Sequence, residues 1–419
     1  MTEQLLQFIW QFQYYNKNSL QTSAGEDLQI IHAGIHNTNQ GPDFLNAKIK
    51  VGETLLAGSI EIHIKASEWK NHKHSNDKNY NNVILHVVWE NDKELTLNFP
   101  TIELKNRVSN ILLEKYESLM DAQAFIPCHE QILTVSDITL VAWKERLLVE
   151  RLQEKTTYVN TLLQKNNQHW EAIFWQMLAK NFGIKINSDA FESMATSVTI
   201  NILAKHKNQL HQLEALLMGQ CGLLENSITD DYAIMLQKEY RFLKQKYSLA
   251  QNHIPVYFLR MRPANFPTLR LAQLAALVFE SNHLFSKIKD AEDVKEVEKM
   301  FNVTANDYWH YHYLFDEATA YKKKNLGKQM TQNIIVNTVL PVLYAYGWYN
   351  NNELYKAKAL KWAEQLLPEK NNITKGFEAL SIANKSAYDS QALIQLKNKY
   401  CNVKRCLDCA VGNKILKGI

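Results

Sequence analysis

Glu61, His63 and Lys65 take alternate positions in "GSIEIHIKASEW", and Asp43 precedes them in "GPDFLNAKI". Side chains of an extended chain alternate between two faces. A carboxylate, an imidazole and an ammonium therefore share one face, while Ile60, Ile62 and Ile64 share the other. Together these groups can handle metals and protons. Two carboxylates offer the oxygen ligands that magnesium or manganese prefers, with waters and a substrate phosphate completing the shell. An ion held in this way polarises a phosphate and acidifies water, and a nearby lysine or histidine orients that water and offsets developing negative charge. Asp43 and Glu61 are thus candidate ligands for Mg²⁺ or Mn²⁺, and His63 and Lys65 are candidate catalytic side chains. Lys65 lies one pleat beyond His63, about 6–7 Å along the strand. The plain alternative is a turn-capping aspartate and a surface glutamate on a wet sheet face.

The histidines allow a rival reading. His63, His72, His74 and His86 fall close together, and imidazoles beside a carboxylate suit zinc. Glu61, His63 and the His72/His74 loop would then form a zinc-dependent hydrolase. The plain reading makes His72 and His74 solvated loop residues and His86 a hydrogen-bonded core residue.

A second group lies at the end of the chain. "YCNVKRCLDCAVGNKILKG" sets Cys401, Cys406 and Cys409 in C-x4-C-x2-C. A C-x2-C element presents two thiolates to one ion, and a third cysteine leaves one ligand missing. Cys128 in "FIPCHEQ", or His129 beside it, is the candidate fourth ligand, for zinc or an iron–sulfur cluster. Cys221, inside the apolar "GQCGLL", reads as a packed thiol. The tail is basic, and Lys404 and Arg405 are candidate nucleic-acid contacts through phosphate. "RMRPANFPTLRLAQLA" reads as an inter-helix loop whose prolines start a helix, and "YWHYHYLF" as core aromatics.

The elements that must position these residues change character along the chain. Residues 3–15 read as a short aromatic-rich helix. From about 27 to 105, "LQIIHAG", "FLNAKIKVG", "LLAGSIEIHIKA", "NVILHVVWE" and "ELTLNFPTIEL" read as strands. "KVGETLL" is a hairpin turn, residues 66–82 are a loop or short helix, and "NVILHVVWE" is apolar enough for a strand buried on both faces. Beyond about 107 apolar residues recur at helical spacing, from the Ser-Asp start of "SDITLVAWKERLL" to "NNELYKAKALKWAEQLLPE". The fold class expected is α+β. A mixed α/β module over residues 1–110 precedes a large all-helical domain over 111–419 that carries the cysteine cluster.

Composition agrees with this plan. The chain has 419 residues, too many for one ordinary core, and its 46% hydrophobic and 21% charged content is that of a folded protein. No apolar run reaches the roughly 18 residues that span a bilayer. The N-terminus lacks the pattern of a secretory leader, so a cytoplasmic protein without a membrane partner is expected. A net charge of +4 is compatible with a nucleic-acid partner without pointing to one.

These segments carry resemblances to known families. Helix, three strands, a short connection and a buried strand, with Pro42-Asp43 and Glu61-Ile62-His63, resemble the restriction-endonuclease-like core of the PD-(D/E)xK nucleases. That resemblance implies metal-dependent phosphodiester hydrolysis, with the backbone carbonyl of Ile62 as a further ligand. His63 stands where that pattern has lysine, which leaves open a non-catalytic nucleic-acid-binding or scaffold protein on a degenerate nuclease fold. The cysteine tail is loosely similar to the iron–sulfur loops of endonuclease-III-type glycosylases. Over its whole length the chain resembles the bacterial family known as domain of unknown function 2851. This rests on "GPDFLNAKI", "GSIEIHIKASEW", "YNNVILHVVWE", "EALLMGQCGLL", "RPANFPTLRLAQLA" and "YCNVKRCLDCAVGN". That family implies no activity.

Overall fold

The computed structural model describes residues 1–72, 77–225, 228–250 and 254–418. The fold is α+β, a sheet-containing N-terminal region followed by a large helical region. Two compact units form: Met1–Trp143 together with Leu396–Ile419, and Lys144–Gln395. These bounds differ from a division at residue 110. Helix Asn110–Asp121 and the first residues of helix Asp137–Lys165 stay with the sheet, and the cysteine-bearing tail joins the same unit.

The first unit opens with helix α1 (Glu3–Gln11), whose N-terminus is capped by the Thr2 side chain, which accepts from the Leu5 amide at 3.2 Å. Leu5, Leu6, Phe8, Ile9 and Trp10 are buried, and the polar Glu3 and Gln7, one turn apart, share another face. Strands β1 (Leu28–His32), β2 (Ile35–His36), β3 (Phe44–Val51), β4 (Thr54–Lys65), β5 (Val83–Glu90) and β6 (Thr101–Glu103) form one sheet. Its order is β1-β3-β4-β5-β6, with β2 pairing β3. β1 and β4 run antiparallel to β3, while β5 is parallel to both β4 and β6. The expected hairpin joins β3 to β4 through Gly52, at φ +54°, and Glu53. β5 is the buried central strand that its apolar run requires. From the segment expected to continue to residue 104, only Thr101–Glu103 pairs as a strand.

Three register shifts interrupt this sheet, one of them between Ile30 and His32 where β1 pairs β3. β3 and β4 pair from Val51↔Thr54 to Ala47↔Gly58 in one register, but Phe44 pairs Ile60, one residue displaced. The displaced stretch holds Asn46 at φ +58°, a left-handed backbone that asparagine tolerates better than most residues. Without this bulge Asp43 would lie opposite Ile62; with it, Asp43 lies opposite Glu61. Another lies between Ser59 and Ile60, where β4 begins to pair β5, one residue beyond the close approach of Gly58 to Asn82.

Beyond β4 a short helix α2 (Glu68–Asn71) packs against it. α1 also packs on β4, so the face carrying Glu61 and His63 is covered: Glu61 is 5% exposed and His63 1%. The wet sheet face allowed for by the sequence is therefore a buried one.

The second unit is helical, as its periodicity requires. Its helices include Trp170–Phe182, ending before Gly183, then Leu210–Gln220, Asp231–Lys246, Pro267–Glu280 with proline in its first turn, and Glu353–Gln365. "YWHYHYLF" divides between helix Asp307–Tyr311 and a two-stranded hairpin, with Trp309 fully buried. Among the described residues, no helix is long and apolar enough to cross a membrane.

Gly58 supplies a test of this architecture. A Cβ there would sit 2.4 Å from the Asn82 carbonyl oxygen and 2.6 Å from Ile84 Cγ2. Gly58→Ala must force β4 and β5 apart at the start of their pairing. We expect it to destabilise the protein by about 1–3 kcal/mol, read as a lower denaturant midpoint. An unchanged midpoint would show that the strand pair yields at no cost.

Candidate functional site

The bulge in β3 brings Asp43 and Glu61 together. The Asp43 amide donates to Glu61 Oε2 at 3.2 Å, and the Ile62 amide donates to Asp43 Oδ2 at 2.9 Å. Upstream, the chain turns at Gly41, whose φ of +108° only glycine adopts freely, and Asn37 Nδ2 donates to the Pro42 carbonyl at 2.9 Å. The "GPD" turn is thereby held while it delivers Asp43 to the start of β3.

α1 supplies residues that sequence reasoning missed. Gln7 Nε2 donates to Asp43 Oδ1 at 2.8 Å. Glu3, one turn earlier, lies close enough to act electrostatically on Asp43 and Glu61. Glu3 and Gln7 are an i, i+4 polar pair, but the helix also carries Gln4 and Gln11, so the sequence does not single the pair out or tell which strand it faces.

The histidines extend the cluster across the sheet. Glu61 lies beside His86 in the parallel register of β4 and β5. His63 Nδ1 is 2.8 Å from His86 Nε2; its Nε2 is 3.3 Å from His72 Nδ1 and 3.6 Å from Glu61 Oε1. Proton positions follow from the tautomers; His63 is within hydrogen-bond reach of His86 and His72, while Glu61 lies at ion-pair distance. Trp69 from α2 closes the edge, with ring centres 6.3 Å from His63 and 5.4 Å from His86. His74 lies outside the described residues.

Electrostatics set the character of the site. Burial raises the Asp43 carboxyl, and the charge of Glu3 adds to the rise against hydrogen bonds from Ile62 and Gln7. Burial and the charge of Asp43 raise Glu61 well above the usual carboxylate range. The Tyr80 hydroxyl, raised to about 12 by burial and by Glu61 and Asp43, marks the border of the same negative field. Like charges in a low dielectric favour uptake of a proton or a cation. Asp43 and Glu61 carry oxygen donors of the kind magnesium and manganese take, whereas the imidazoles of His63 and His72 are of the kind that suits zinc. Among the described residues, no group of three or more His, Cys, Asp or Glu side chains is arranged to hold a metal by itself. Magnesium commonly takes only one or two carboxylates and fills its shell with waters and substrate phosphate.

Other candidates fall elsewhere. Lys65 sits exposed at the end of β4, its amide bound by Glu68 Oε2 at 3.0 Å and its charge acting on Asp92. It belongs to the surface beyond the cover of α1 and α2, away from the carboxylate pair. Lys404 donates its ammonium to the Met120 carbonyl, and Arg405 is paired with Asp408 at 2.9 Å and stacked 4.8 Å over Tyr400. Both side chains expected to contact nucleic acid are thus engaged within the protein. Cys128, Cys401, Cys406 and Cys409 line one small cavity, and His129 does not. Cys221 is a buried thiol of the second unit.

Against this geometry, the comparisons with known proteins give one positive result. The chain belongs to the family described as "Protein of unknown function (DUF2851)", whose model matches residues 3–372. Comparison with curated proteins and with solved structures returns no match.

The carboxylate pair has a pH signature. Folding raises both pKa values, so the folded state holds protons that the unfolded chain has released. The stabilisation is complete below the ordinary carboxylate range. It is lost as pH rises from the ordinary carboxylate range through the raised titration of the pair. Glu61→Gln, a mimic of the protonated side chain, should flatten the alkaline loss of melting temperature in metal-free buffer. Parallel pH profiles of variant and wild type would refute the shared-proton picture.

Proposed function

We propose that the first unit is a metal-dependent phosphodiesterase acting on nucleic acid, with Asp43 and Glu61 as the ligands of one Mg²⁺ or Mn²⁺ ion. The observation that carries this reading is the convergence of two carboxyls across the β3 bulge, in a buried, like-charged site that favours a cation. The order of helix, antiparallel strands and parallel central strand supports it, as does the match between two protein carboxylates and the needs of a phosphate-binding magnesium site. A bound ion would polarise the phosphate and acidify an attacking water.

The remaining roles belong to this chain's own side chains. Gln7 holds Asp43 in place and keeps one carboxylate oxygen occupied by a neutral donor. His63, linked to Glu61, His72 and His86, is the group able to take a proton at the site and pass it along the imidazole chain. This assigns to His63 the part first divided between it and Lys65. Glu3 adds negative charge at the rim and raises affinity for a cation over a neutral ligand. A zinc-dependent hydrolase is the second reading, favoured by the contact of His72 with His63.

The test is cleavage of single-stranded DNA, duplex DNA and RNA by purified protein with Mg²⁺, Mn²⁺, Zn²⁺ or EDTA. We expect Mg²⁺- or Mn²⁺-dependent cleavage, and a loss on the order of 10²-fold or more in Asp43→Asn and Glu61→Gln proteins of intact fold. His63→Ala should lose on the order of 10²–10⁴-fold with metal binding kept, the usual worth of a general base. Cleavage supported by Zn²⁺ alone would move the assignment to the second reading. Activity equal in all variants, or no cleavage under any condition, would refute a nuclease at this site.

A further inference from the structure

The four cysteines that converge in the first unit come from two distant parts of the chain. Cys128 follows Pro127 in the turn between helix α3 (Asn110–Asp121) and the short turn Ile132–Thr134. Cys401 ends the helical stretch Lys397–Cys401, Cys406 lies in the following turn, and Cys409 precedes the C-terminal helix Ala410–Lys417. The whole second unit, Lys144–Gln395, is inserted between them in the sequence. All five cysteines are free thiols, and the four in the first unit line one cavity of ≈ 10 Å³.

We propose that Cys128, Cys401, Cys406 and Cys409 bind one zinc ion as a tetrathiolate that clasps the C-terminal segment to the body of the first unit. Zinc takes four thiolates at tetrahedral positions in structural sites, and C-x2-C spacing is the usual way for two of them to approach one ion. The cavity is about the size of a single water, room for one ion among the four sulfurs. In this structure the thiols are not drawn up as a finished ligand set. Binding therefore closes the four sulfurs inward, and their four protons leave to solvent, so affinity rises with pH.

Burial disfavours charge on all four thiols, and some neighbours partly offset it. The Val411 and Gly412 amides and the Trp143 side chain act on Cys409 in favour of the thiolate, against burial, which still raises it. Lys404 and Lys397 do the same for Cys406 and Cys401. Burial raises all four thiols, and in Cys128, Cys401 and Cys406 the neighbouring cysteines add to it. Such mutual repulsion of thiolates is relieved when one dication sits among them. Gly412 makes the approach possible: a Cβ there would lie 2.1 Å from the Cys406 carbonyl oxygen. Closing a very long chain loop is where a metal clip constrains the unfolded state most.

The experiment is elemental analysis of full-length protein purified under reducing conditions without chelators. We expect about one zinc per chain in wild type, in Cys221→Ser and in Glu61→Gln, and a stoichiometric loss in Cys128→Ser and Cys409→Ser. Cobalt(II) added to metal-depleted wild type should give the strong near-ultraviolet thiolate band and visible transitions of tetrahedral sulfur ligation. That readout does not depend on how well the serine variants fold. Zinc content equal in all five proteins, or wild type that neither carries zinc nor gives the cobalt spectrum, would overturn the proposal. Iron with inorganic sulfide in place of zinc would overturn it too. Retention of zinc in Glu61→Gln separates this site from the carboxylate pair, so either assignment can fail alone.

Discussion

The first unit is organised around one electrostatic constraint, two carboxyl groups held against each other where water is largely excluded. Asp43 and Glu61 are tied together through backbone amides across β3 and β4, and Glu3 adds a third negative group. Such a site must take up a proton or a cation to be stable. The side chain that donates to Asp43 is the neutral Gln7, which orients the carboxyl without cancelling its charge. Carboxyls buried against each other in this way are costly as scaffolding and useful for binding an exchangeable ion.

The rest of the unit serves that placement. The displaced register at Asn46 decides that Asp43 faces Glu61, and α1 holds the aspartate from the other side through Gln7. β5 contributes His86 in register with Glu61, and Trp69 covers the imidazoles so that their hydrogen bonds form among themselves. Gly58 lets β4 and β5 come close enough for this register to start. The C-terminal segment packs in the same unit, with the Lys115 ammonium donating to the Ile415 carbonyl at 3.2 Å.

Much of this was legible in the sequence, and the reasons for the misses are physical. β3, the hairpin at Gly52, β4 and the buried β5 follow from local alternation and turn chemistry, and they place Asp43 and Glu61 on neighbouring strands without deciding whether the two meet. The bulge at Asn46 does not follow, because an asparagine in a strand accepts either backbone. Glu3 and Gln7 were invisible as site residues because helix-to-sheet docking is a long-range choice. Lys65 obeyed its alternation, but the cover over β4 ends before it, leaving it near Asp92. The three tail cysteines stood out by spacing, and the fold adds that Cys128, and not His129, lines the same cavity. Lys404 donates to the distant Met120 carbonyl, a contact the sequence does not show, whereas Arg405 is engaged by its near neighbours Asp408 and Tyr400.

The central claim is that the Asp43–Glu61 pair holds a hard divalent cation. Its most direct test is Mn²⁺ binding by the full-length protein, followed by calorimetry and by the loss of the free-ion paramagnetic resonance signal. Manganese prefers oxygen ligands and leaves a thiolate site largely to softer ions. The account predicts about one tightly bound Mn²⁺ per chain, protons released on binding, and loss of that site in Asp43→Asn and in Glu61→Gln, with Cys409→Ser unaffected. Binding that is undiminished in both carboxamide variants, or absent from wild type, would contradict it.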